Sequence, residues 1–258
     1  MTGGPIFVGG EGRSGTTLMR VILDSHPNIC CGPETHFFID GKMEFWCKHI
    51  TETYINRILE YYDNPYETMA RCFGKILSSF HRPYMKRKNK VRWADKTPYN
   101  IYSIDFLNTA FPDMQFIHVI RDGRDVAASM LSMPWGPKNI GEIATNWRSC
   151  IIIGRKFGTA HKNYLEVKYE DLIYSFKPTL MNVFNFLGEP WSEDVLNYHL
   201  YEHDLGNKYS GESSADQVTK EIYSHQIGRW KKELTKEQVD EFIAIAGNGL
   251  LAAGYKID

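Results

Sequence analysis

The sequence contains no uninterrupted apolar run approaching the roughly 20 residues that a membrane span needs. Nor does its N-terminus place a basic region ahead of an apolar stretch, so no leader is legible and a soluble, cytoplasmic chain is the expectation. It has no C-x-x-C pair. Its five cysteines, Cys30, Cys31, Cys47, Cys72 and Cys150, are odd in number, which argues against a zinc knuckle or a disulfide scaffold and for free thiols in a reducing compartment. An excess of charge is also missing, with 30 Lys plus Arg against 31 Asp plus Glu and a formal net charge of -1. Such a chain has no global attraction to nucleic acid or to an acidic membrane, so any anion must be captured by a local cluster. Neither internal repeats nor low-complexity linkers interrupt it, and 258 residues are expected to form one domain over 1–258.

What is present is the composition of an ordinary globular protein, 43% hydrophobic and 24% charged. Apolar runs bounded by turn residues alternate with helix-like stretches, the pattern of βα units on a parallel sheet. The spacing predicts strands over Ile6–Gly9, Asn28–Cys31, Val91–Ala94, Gln115–Ile120 and Tyr164–Lys168. Helices are predicted over Thr17–Ser25, stopped by His26-Pro27, and over Ile101–Ala110, Asp125–Ser132, Ile140–Phe157 and Lys177–Leu187. Thr235 and Gln238 make a capping box for a last helix running into Gly247-Asn248-Gly249. Residues 38–85, helical and rich in aromatics, are expected to be an insertion covering a site, and Lys86 to Lys90 a solvated loop. The fold class is therefore α/β, a three-layer arrangement with a central parallel sheet of about five strands.

The strongest chemical signal is Gly10-Glu11-Gly12-Arg13-Ser14-Gly15-Thr16-Thr17, a glycine-rich turn between a strand and a helix. It follows the phosphate-loop spacing, with Thr16 where an NTPase carries its lysine. Inward-turned backbone N–H groups, a helix N-terminus and the hydroxyls of Ser14, Thr16 and Thr17 suit a 5′-phosphate or phosphosulfate. A second cluster, Arg121-Asp122-Gly123-Arg124-Asp125 with Ser129, follows an apolar strand. Guanidinium forks there suit a second phosphate, although salt bridges among the four charged residues are an equal reading of that cluster alone. Glu34 and Lys96 also follow strands. In a parallel sheet the crevice beyond the strands' carboxyl ends is where ligands bind, so Arg13, Glu34, Lys96 and Arg121 are expected to converge. There a carboxylate can take a hydroxyl's proton while cations stabilise negative charge on the transferred and leaving groups.

These residues resemble the sulfotransferases that use 3′-phosphoadenosine 5′-phosphosulfate, and most closely the tyrosylprotein sulfotransferases and their bacterial relatives. The resemblance rests on Arg13 to Met19, Asp24 to Pro27, Cys31 to Thr35, Asp95 to Pro98, Arg121 to Arg124 with Ser129, Tyr169 to Leu172, and Asp216 to Val218 with Arg229-Trp230. It implies a P-loop-like fold in which Arg13, Ser14, Gly15, Thr16 and Thr17 hold the 5′-phosphosulfate and Arg121 and Ser129 the 3′-phosphate. Tyr169 and Arg229 would touch further parts of the nucleotide. Glu34 would be the general base, with Lys96 and Arg13 stabilising the transition state of in-line transfer to a hydroxyl, without a metal. The acceptor side departs from the family. Where arginines grip acidic peptides, this chain has His36 and Asp40, while Ala215 replaces a serine and Met133 an arginine. A phenol, an alcohol or a tyrosine hydroxyl all remain possible acceptors, and Phe45, Trp46, Tyr99, Tyr102 and Trp135 are either an apolar acceptor pocket or core. Two further readings stay open on the residues: a P-loop kinase, with Asp122 as its strand-end acid, and a nucleotide-binding protein without catalysis.

Overall fold

Strand Ile6–Gly9 (β1) owes its position to alternation: Ile6 and Val8 face one helical layer and Phe7 the other, and all three are fully buried. A strand buried on both faces reads as a continuous apolar run and belongs in the middle of a parallel sheet. The structure is a computed structural model, and it describes residues 3–38, 41–55, 64–205, 218, 220 and 226–257. In it β1 lies between β3 (Arg92–Lys96) and β4 (Gln115–Ile120), with β2 (Ile29–Cys31) and β5 (Tyr164–Lys168) outside them, in the order β2-β3-β1-β4-β5. All pairings are parallel, Val8 standing opposite Lys96 on one side and Ile117 on the other.

Helix α1 (Thr16–Ser25) packs on one face with the later helix Phe176–Leu187, through Met19, Val21, Ile22, Val183 and Phe184. The other face is covered by α2 (Lys42–Ile50), α3 (Pro65–Arg87), α4 (Ile104–Ala110) and the helix Ile140–Ala160, around Phe7, Phe106, Phe111 and Phe116. A third cluster joins that last helix to α5 (Gly123–Leu131) and the C-terminal helix Lys236–Ala252 through Trp147, Phe242 and Ala246. Among the described residues no helix is long and apolar enough to cross a membrane.

Five strands stand where alternation put them, three with the same ends. The differences have physical reasons. β3 runs on through Asp95 and Lys96, because both charges are paired inside the protein. The helix expected over Ile101–Ala110 is α-helical only from Ile104, and ahead of it Pro98–Ser103 form a 3-10 turn whose first position tolerates proline because an N–H there would have no partner within the turn. Lys86 and Arg87 finish α3 instead of starting a loop. The C-terminal helix, opened by the Thr235 and Gln238 capping box, continues through Gly247 and Gly249 to Ala252, where Gly249 gives Trp147 room to pack.

Candidate functional site

The loop after β1 is shaped by two glycines. Gly10 has φ 151° and a side chain there would collide with the Val119 carbonyl, so the chain turns tightly across the end of β4. Gly15, the residue before α1, has φ 96°, and a Cβ would lie 2.5 Å from the Tyr169 ring. Between them the Glu11 carbonyl accepts from the Ser14 N–H at 3.2 Å, closing the turn ahead of the N-terminus of α1. The Ser14 hydroxyl is buried and has no hydrogen-bond partner among the described residues.

Beside this loop, at the C-terminal end of β3, the Lys96 ammonium is fully buried and donates to Glu34 Oε1 and, at 3.3 Å, to Thr17 Oγ1. Glu34 follows β2 and keeps 18% of its side chain exposed, with His36 Nε2 3.3 Å from its other oxygen. What holds this group is Asp95, a buried carboxylate accepting from Thr35 at 2.6 Å, Asn100 at 2.9 Å and Thr97 at 3.3 Å, with His81 3.6 Å away. His81 and these hydrogen bonds keep its carboxyl below the usual range despite burial.

A second group forms at the ends of β4 and β5. Arg13 Nε donates to Ser129 Oγ at 3.1 Å, and Arg121 donates to the Arg13 carbonyl at 3.1 Å and to the Gln226 carbonyl. The Arg121 guanidinium also lies 4.8 Å from the Tyr169 ring centroid and 3.8 Å from Asp125. Its Nε is buried without a hydrogen-bond partner among the described residues. Arg229 stands further out, bonded to Glu233 and to the Gln226 side chain. Asp125 accepts from the Gly228 and Trp230 N–H groups at 2.8 and 3.0 Å, so one carboxylate clamps the segment carrying Gln226 and Arg229 against α5.

The sequence-derived residues thus sort into two groups: Glu34, Lys96 and Thr17 in one, Arg13, Ser129, Arg121 and Tyr169 in the other, with Arg229 joined to the second through Gln226. Arg124 takes the other reading of its cluster: it pairs with Asp122 at 2.8 Å, donates to the Lys256 carbonyl and lies 4.1 Å from the Trp230 ring centroid. Phe45, Trp46, Tyr99, Tyr102 and Trp135 are all exposed, so none is core, and the Tyr102 hydroxyl is tied inward to Glu11 at 3.1 Å. Phe37, next but two after Glu34, packs on Phe80 with ring centroids 5.5 Å apart. Asp40 and residues 213–217 lie outside the described residues, while Val218 is buried in the core. Sequence reasoning missed Asp95, Asp125 and Glu11 as parts of the site. Each stood inside a quoted motif, but their partners Thr35, Trp230 and Tyr102 come from elsewhere in the chain.

Comparison with known proteins extends this picture. The Sulfotransferase family model matches residues 5–193. The protein-tyrosine sulfotransferase A of Caenorhabditis elegans is 28% identical over 93% of this chain, and the match spans 64% of that relative's length. Among solved structures, the sulfotransferase domain of the Synechococcus PCC 7002 olefin synthase superposes with a TM-score of 0.68 at 22% identity, covering 95% of this chain and 94% of its own. Mouse sulfotransferase SULT7A1 complexed with PAP gives 0.54 at 15% identity, covering 98% and 89%. A family match over the whole sheet and both groups of site residues leaves one assignment: the chain belongs to the sulfotransferase family.

Proposed function

We propose that the protein transfers the sulfuryl group of 3′-phosphoadenosine 5′-phosphosulfate to a hydroxyl acceptor. The observation that carries this reading is the buried Lys96 ammonium bridging Glu34 and Thr17, which ties a carboxylate able to act as a base to the anion-binding loop. The donor fits the residues present. Ser14 Oγ in the loop and Arg121 Nε beyond it are buried polar groups lacking hydrogen-bond partners among the described residues, one at each expected phosphate position. Leaving such groups unpaired costs about 1 to 3 kcal/mol each, which an anion at both positions recovers. The bisphosphate named with the mouse neighbour and the sulfotransferase activity named for the worm relative support the same donor.

In this mechanism the loop N–H groups with Ser14, Thr16 and Thr17 hold the 5′-phosphosulfate, while Arg121, Ser129, Tyr169 and Arg229 hold the 3′-phosphate and the rest of the nucleotide. Glu34 takes the proton of the attacking hydroxyl. Lys96 turns from Glu34 toward the departing phosphate, freeing the carboxylate as it stabilises the leaving charge, and Arg13 assists from the loop. The acceptor enters on the open side of Glu34, beside Phe37 and Phe80. Calorimetric titration tests the donor site: adenosine 3′,5′-bisphosphate binds about tenfold to a hundredfold more tightly than 5′-AMP, without magnesium, and Arg121→Ala abolishes that preference. Equal affinities in the wild type overturn the assignment, and tight magnesium-dependent ATP binding favours a kinase.

A further inference from the structure

Glu11 is the one acidic side chain of the glycine-rich loop, and it points away from solvent, with the residue only 8% exposed. Its Oε2 lies 3.1 Å from the Tyr102 hydroxyl, which lies 3.1 Å from the Asn146 carbonyl. A carbonyl only accepts, and a phenol has one proton to give. If Glu11 is ionised, two acceptors compete for that proton. If Glu11 is protonated, it donates to Tyr102 and Tyr102 donates to Asn146, and each hydroxyl proton has its own acceptor. The same turn, closed by the Glu11 carbonyl on Ser14, presents the N–H groups and hydroxyls meant for an anion. A buried negative charge there opposes anion binding in a medium that screens little.

The geometry points to Glu11 as a positioning residue for the donor: the loop receives the nucleotide with Glu11 protonated, so that binding takes up one proton from solvent and release returns it. The inference rests on the reading of this loop as the donor's anion cradle. Around Glu11, Tyr102 comes from the turn after β3, and Cys150, whose thiol is hydrogen-bonded to the Glu11 backbone, comes from the helix Ile140–Ala160. His118 on β4 lies behind Cys150 at 3.3 Å, followed by Tyr164 on β5 at 2.6 Å, with the Arg155 and Glu166 ion pair beyond. Arg13 follows in the loop itself. Although Tyr102 is partly exposed, desolvation at its hydroxyl with Glu11 beside it pushes its phenol up, while burial pushes the Tyr164 phenol and the Cys150 thiol up and holds His118 down at about 4, so all four are neutral around pH 7. Burial raises the Glu11 carboxyl to about 7, the Tyr102 and Gly12 hydrogen bonds opposing it in part.

Calorimetric titration with adenosine 3′,5′-bisphosphate, in buffers of different ionisation enthalpy from about pH 6 to about 8.5, compares wild type with Glu11→Gln. The nucleotide's own phosphates titrate alike in both. At about pH 8 the wild type is expected to take up close to one proton more than the variant, and its affinity to fall about tenfold per pH unit above about 7 relative to the variant. Should the variant fail to fold, the infrared difference spectrum of the wild type at about pH 8 must gain a protonated-carboxyl band on adding nucleotide, and its absence overturns the proposal. Identical proton uptake and pH profiles overturn the role of Glu11 alone. No binding at any pH overturns the cradle itself, and this inference with it.

Discussion

Lys96 shows why the site depends on single residues. Taking an ammonium wholly out of water costs several kcal/mol unless it is paired, and Lys96 is paired with Glu34 and Thr17. The pair is held by a residue that touches neither donor nor acceptor in the mechanism, Asp95, which fixes Thr35 beside Glu34 and stands beside Lys96 in β3. Glu34→Gln keeps the shape and removes the basicity. It is expected to leave nucleotide affinity near wild type while lowering turnover by about 10² to 10⁴-fold in a steady-state transfer assay. Lost nucleotide binding would make Glu34 a structural residue instead.

At the scale of elements, the site is built from loops on neighbouring strand ends, and one carboxylate fastens the last of them. Asp125 on α5 accepts from the Gly228 and Trp230 N–H groups. Asp125→Ala strands those donors, at about 1 to 3 kcal/mol for each that water cannot reach. A lower melting temperature and adenosine 3′,5′-bisphosphate binding weakened about tenfold or more are the expected results. Unchanged affinity would show that the segment carrying Gln226 and Arg229 takes no part in holding nucleotide. Where the acceptor is proposed to enter, the turn after β2 carries His36 and the exposed Phe37, which packs on Phe80 of α3. Aromatic walls without an arginine at His36 favour a phenol or a peptide free of clustered acids over a tyrosine peptide rich in Asp and Glu. Labelled-sulfate transfer to both acceptor types at low and moderate salt checks this, and faster sulfation of the acidic peptide contradicts it.

For the whole molecule, the sheet order puts β1 at the centre, with Lys96 at the end of one neighbour and Arg121 just past the end of the other. The strands themselves and the charges that close them were legible in the sequence, because β1 and β4 are apolar runs closed by turn residues and side chains alternate between two buried faces, whereas the strand order was not. The loop was legible for the same reason, since glycines and hydroxyls are needed there at fixed spacing. Pairing across the chain was not. Nothing local to Arg124 says that it meets Trp230 while Arg121 stacks on Tyr169, and nothing local to Glu11 names Tyr102. Glu11 also leaves a mark on global stability. Its carboxyl is raised from 4.5 to about 7 in the folded protein, so its contribution is fully present below about pH 4.5 and is lost as pH rises through about 7. Denaturant unfolding of Glu11→Gln should therefore gain on the wild type by a few kcal/mol at most as pH rises across that window, since each tenfold change in proton affinity is worth about 1.4 kcal/mol. A constant difference between the two proteins across the window would contradict it.

Sulfuryl transfer is tested most directly by incubating the wild-type protein with labelled 3′-phosphoadenosine 5′-phosphosulfate and a panel of a phenol, an alcohol and tyrosine peptides, with a chelator present. The expected result is catalytic transfer of label to at least one hydroxyl, with adenosine 3′,5′-bisphosphate as the other product and the Glu34→Gln variant slowed as above. Tight binding of the nucleotide with no transfer to any acceptor would contradict the account and leave a nucleotide-binding protein without catalysis.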